Sequence, residues 1–145
     1  GLTPNRPKSY YNRPMKWTIR AVLWTAVGDA LVLLGVSLAG FATHQSNPAG
    51  GRLLAMVVPL LAAWGLTAFL GGLYQPAQVT WQGTAWRAVL AGMAAGPLAA
   101  VLRGLWLGGA PVVPVFALVL SGTTALGMGL WRILAMWLFK TKARA

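Results

Sequence analysis

Asp29 is the only acidic residue among 145, and it sits inside an unbroken apolar run, Trp24-Thr25-Ala26-Val27-Gly28-Asp29-Ala30-Leu31-Val32-Leu33-Leu34. Arg103 and Arg132 lie inside later apolar runs, and His44, the only histidine, follows the first. A carboxylate and a guanidinium at membrane depth can pair and fix the register of two helices. The same carboxylate could instead relay protons or contact a substrate. A single imidazole could ligate a haem or chlorophyll-type metal. A charge at the centre of a bilayer costs about 2.5–3.5 kcal/mol on insertion scales and faces a partner or a cavity. Asp29 is therefore the strongest site candidate.

Spacing orders the possible pairs. Asp29 follows Trp17 by 12 residues, about 18 Å of helix. Arg103 follows Trp86 by 17 residues, about 25 Å from the same membrane face. The difference of about 7 Å is within reach of an extended guanidinium, and the arginine fork matches a carboxylate. Arg132 stands seven residues before Phe139, about 10 Å from the inner edge. It can reach up to Asp29 or down to headgroups. Because Arg132 has that second outlet, Arg103 is the expected partner of Asp29.

Other chemistry is poorly supplied. His44 is fifteen residues from Asp29, about 22 Å of helix, so a Ser-His-Asp set cannot form. In a turn-rich loop an imidazole is more simply solvated or bonded to backbone than bound to a metal. Paired-carboxylate hydrolysis needs a second acid. There is no cysteine, which excludes thiolate catalysis and Cys-ligated metals. No glycine-rich phosphate loop follows a strand. The expectation is a protein that is not an enzyme and has no metal site.

The elements that position these residues follow from composition. Hydrophobic residues make up 57% of the chain and charged residues 9%, against about 25% charged in soluble domains. Spanning helices need about 20 mostly apolar residues. Four stretches qualify, at about 17–42, 53–73, 86–108 and 112–139. The expected fold is an all-α, integral membrane four-helix bundle between basic tails at 1–16 and 140–145. The turn Gly108-Gly109-Ala110-Pro111 is so tight that helices three and four must form an antiparallel hairpin.

The basic residues set the expected orientation. Arg6, Lys8, Arg13 and Lys16 precede the first span, Lys140, Lys142 and Arg144 follow the last, and the opposite loops hold only Arg52. The positive-inside rule puts both termini in the cytoplasm, and the tails beside anionic inner-leaflet lipid. The formal charge of +11 is spread over tails and span ends, whereas a nucleic-acid binder gathers it on one solvated face. The polar stretch Gly1 to Lys16 and the long run after it do not read as a signal peptide. Trp17, Trp81, Trp86 and Trp137 fit an inner aromatic belt and Trp106 an outer one, leaving Trp24, Trp64 and Trp131 to be explained otherwise.

Helices in lipid associate through small residues. Ala88, Gly92, Gly96, Ala100, Gly104 and Gly108 recur every four residues in the third span, and Ser121, Ala125 and Gly129 do so in the fourth. Gly92, Gly96, Gly104 and Gly108 are the expected packing positions. The stripe drifts by about 40° per step, so one straight neighbour cannot follow all of it. The polar inventory at depth beyond Asp29 is thin for an aqueous path: Thr25, Ser37, Thr67, Ser121, Thr123 and Thr124.

Several of these residues fall in a recognisable order: Gly28-Asp29 and then His44, Trp64 with Gly71 to Tyr74, Gly96-Pro97 with Arg103, and Trp131-Arg132. Together they resemble an uncharacterised family of small prokaryotic four-helix integral membrane proteins, a domain of unknown function. The likeness covers nearly all of the chain outside the tails. It implies the four-helix membrane fold, carries no activity or cofactor, and singles out Asp29, His44, Arg103 and Arg132. Minimal loops and missing catalytic groups lead to the expectation of a non-catalytic accessory subunit of a larger membrane complex, with a respiratory or photosynthetic complex as one host. The alternatives are a small proton-coupled transporter using Asp29 and a pigment- or haem-binding protein using His44. The expected home is the cytoplasmic membrane of a prokaryote.

Overall fold

The computed structural model describes residues 15–43, 50–75 and 84–144; His44, Trp81 and the basic residues Arg6, Lys8 and Arg13 lie outside them. Four helices follow in order: α1 (Met15–Thr43), α2 (Gly51–Leu70), α3 (Thr84–Trp106) and α4 (Pro114–Arg144). Each is long and apolar enough to cross a membrane, and no strand occurs among the described residues. The chain is a multi-pass membrane protein. Its surface agrees, since Leu31, Phe69, Val115, Leu118 and Leu130 all point outward, as lipid-facing side chains do. The helix α4 continues to Arg144, so the basic C-terminal segment with Lys140, Lys142 and Arg144 forms its last turns.

Glycines end two of the helices and correct the expected span limits. The helix α2 stops at Leu70 instead of Leu73. Gly72 takes a φ of 67°, a left-handed conformation open to glycine at low cost. The Gly72 N–H donates to the Phe69 carbonyl and the Leu73 N–H to the Ala68 carbonyl. These are the two bonds of a Schellman closure. Leu73 is fully buried as a result, and the chain turns back so that Tyr74 faces the bundle. The helix α3 closes the same way, with Gly108 at φ 79° donating to the Leu105 carbonyl and Gly109 to the Gly104 carbonyl.

The helices form a ring. The hairpin pair α3 and α4 pack along most of their length, α2 lies on α3, and α1 touches α4 and α2 more sparsely. This places α1 and α3 diagonally. Small residues set the close approach. A Cβ on Gly92 would lie 2.7 Å from the Cα of Ala125, and one on Gly96 would overlap Ser121. Two of the four expected packing glycines serve otherwise. Gly104 makes room for the Ala110 carbonyl of its own turn, which a Cβ would meet at 2.6 Å, and Gly108 has open space around it and acts only through its φ. The drift of the four-residue stripe explains this: by Gly104 it has rotated off the α4 face.

Gly92→Val should therefore lower the stability of the detergent-solubilised protein by about 1–3 kcal/mol, the usual cost of overpacking. Gly122→Ala, where a Cβ meets nothing within 4 Å, should leave it unchanged. Thermal melts followed by helical circular dichroism compare the two.

Candidate functional site

Asp29 lies at the middle of α1, and its neighbour Gly28 lets another helix come close. A Cβ on Gly28 would overlap the indole of Trp131 on α4. With only hydrogen there, α4 approaches near enough for the residue after Trp131 to reach the acid. Arg132 Nη2 pairs with Asp29 Oδ2 at 2.7 Å, and both side chains are only 2% exposed. Helical side chains lean toward the helix N-terminus, which directs Arg132 up the bundle to Asp29 rather than down to headgroups.

Two further donors converge on the same oxygen. Tyr74 Oη donates to Asp29 Oδ2 at 2.6 Å. Trp64 Nε1, on α2, lies 3.3 Å from that oxygen and 2.9 Å from Tyr74 Oη. The Arg132 guanidinium also sits 5.5 Å from the centre of the Tyr74 ring, within cation–π range. The cluster thus ties α1, α2 and α4 together through one carboxylate oxygen. Among the described residues Arg132 Nε and Nη1 have no acceptor, and the Trp131 indole N–H is near enough to Asp29 to stabilise its charge although it falls short of a well-formed hydrogen bond. Burial and the adjacent carboxylate raise the pKa of Tyr74 above its ordinary 10.0, so the phenol remains a donor.

The expected Asp29–Arg103 pair is not formed, and Arg132 takes that place. Depth matching put Arg103 within reach, but it presumed that α1 and α3 are neighbours, and they lie across the ring. Arg103 instead lies over the Phe116 ring at 5.2 Å. His44 falls outside the described residues. Trp64 and Tyr74 were not among the ionic candidates. Their signal was their place in the family pattern, and for Tyr74 the Gly71-Gly72 turn that folds it inward.

The hydroxyls at depth do not extend the cluster. Thr25, Ser37, Thr67, Ser121 and Thr123 each donate to the carbonyl four residues back on their own helix. Among the described residues no group of three or more His, Cys, Asp or Glu could hold a metal ion. What the arrangement does chemically is neutralise a buried acid with three donors.

A family model described as a protein of unknown function (DUF3054) matches residues 26–135. The chain belongs to this family. The matched stretch takes in Asp29, Trp64, Tyr74, Arg103 and Arg132, in agreement with the likeness to an uncharacterised family. No curated protein and no solved structure matches the chain.

Two outcomes test the cluster. Breaking a buried pair by removing one partner costs about 3–5 kcal/mol. Asp29→Asn and Arg132→Met should each cost that order of stability, and the double variant should lose much less than the sum. Asp29→Asn combined with Arg103→Met should be additive. Denaturation in mixed micelles reads both cycles. Ultraviolet titration reads Tyr74: a tyrosine step should appear above the ordinary tyrosine range, and Tyr74→Phe should remove that late step. Because the folded value is raised, the stabilisation from the protonated phenol is present below the ordinary tyrosine range. It is lost as pH climbs through the raised value.

Proposed function

We propose that this protein is a non-catalytic accessory subunit that packs beside larger partners in the cytoplasmic membrane of a prokaryote. Both termini would face the cytoplasm, with the basic tails against anionic lipid. The observation that carries this reading is that the one carboxylate is neutralised inside the chain and five of the six hydroxyls at depth are bonded to their own helices. Asp29 is held by Arg132, Tyr74 and Trp64, and the hydroxyls of Thr25, Ser37, Thr67, Ser121 and Thr123 return to their own backbones. A carrier needs polar groups free to hand a proton or ion along a path. A scaffold needs its few charges neutralised, and it needs an apolar exterior for neighbours, which Phe69, Leu70, Val115 and Leu118 supply. A bioenergetic complex is one host compatible with this chemistry.

Extraction from the native membrane in mild detergent should yield a particle larger than one chain, holding other membrane proteins in fixed ratio. Liposomes holding the purified protein should pass no protons above the empty-liposome leak, with or without Asp29→Asn. A lone monomer in the native extract, or a proton flux abolished by Asp29→Asn, contradicts the proposal and favours a carrier.

A further inference from the structure

A cavity of about 660 Å³ opens at the end of the bundle that holds the α3–α4 turn, in the size range of small-molecule sites (about 300–1,000 Å³). It exists because α1 packs sparsely on the hairpin, so the upper half of α1 stands away from α3 and α4. The walls are mostly apolar, among them Val36, Ala100, Phe116 and Leu120, and Arg103 is the one charged residue lining it among the described residues. None of Asp29, Arg132, Tyr74 and Trp64 contributes, so the cavity is distinct from the ionic cluster.

Arg103 lacks a counter-charge for a reason that lies in the whole sequence. The chain has a single acidic residue, and Arg132 holds it. Cation–π contact with Phe116 lowers the cost of placing Arg103 there without neutralising it, and Arg103 Nε is buried with no hydrogen-bond partner. An anion that neutralises this guanidinium must come from outside the chain. Arg103 stands three residues before the end of α3 at Trp106, about 5 Å along the axis. A bilayer spanned by the whole of α3 would have its headgroup boundary near this level, where the abundant anion is the lipid phosphodiester, and a guanidinium binds phosphate through paired hydrogen bonds.

We propose that this cavity binds one anionic phospholipid, with its phosphate on Arg103 and an acyl chain between α1 and the hairpin. A zwitterionic lipid is disfavoured because its ammonium group would find no carboxylate to meet.

Native mass spectrometry of the full chain tests this, after equilibration in micelles holding equal phosphatidylglycerol and phosphatidylcholine. The expected result is one retained phosphatidylglycerol per chain, favoured over phosphatidylcholine by about fivefold, the order given by one basic side chain near a membrane surface. Arg103→Gln should abolish the preference. Thr123→Trp, which fills the cavity from an exposed wall and leaves Arg103 in place, should abolish retention while helical circular dichroism is unchanged. Arg52→Gln should retain the lipid as wild type does. Equal retention of the two lipids, a preference that survives Arg103→Gln, retention in Thr123→Trp, or full displacement by oleate each overturns the proposal.

Discussion

A carboxylate inside a bilayer must be neutralised, and here the rest of the architecture depends on how that is done. Asp29 gives one oxygen to Arg132, Tyr74 and Trp64, groups carried by α4, the turn after α2, and α2 itself. In lipid there is little hydrophobic force to bring helices together, and α1 has the sparsest packing in the ring. The cluster is therefore what specifies where α1 sits. Removing one partner would leave the other buried and uncompensated, which is worse than having neither.

The ionic cluster works only because glycine clears its approach. Gly28 accepts the Trp131 ring, and Gly127 accepts Val32 and Val36, so α1 and α4 meet on both sides of Asp29's level. Gly92 and Gly96 bring α3 onto α4, and the left-handed Gly72 folds Tyr74 back under α2. Packing sets the frame and electrostatics selects the register within it. Above Asp29 the frame loosens, and the space between α1 and the hairpin becomes the cavity that Arg103 borders.

Much of this was legible in the sequence, and the failures have a common cause. Apolar run length gave the four helices, the Gly108-Gly109 turn gave the hairpin, and the lone acid marked the site. What a single sequence could not give was lateral order. Depth along an axis follows from residue counts, but which helices are neighbours depends on the side-to-side fit of small residues. That is why Arg103, at a fitting depth, was expected where Arg132 stands. Gly104 and Gly108 read as packing residues for a related reason: a four-residue repeat reveals neither where its stripe rotates off the neighbouring helix, as at Gly104, nor where the helix ends, as before Gly108. Tyr74 lay beyond the expected helix face because the Schellman closure, not helical periodicity, aims it.

The Asp29–Arg132 pair holds α1 against α4. The chain has no cysteine, so a disulfide can be placed without background. A Cβ on Gly127 would lie 3.1 Å from Val32 Cγ1, which makes Val32→Cys with Gly127→Cys a direct reporter of that contact in the membrane. Cross-linking in this pair should be rapid and near-complete, with a marked loss of rate when Asp29→Asn or Arg132→Met is added. Cross-linking that proceeds equally fast with the ion pair removed would contradict this role of the ion pair.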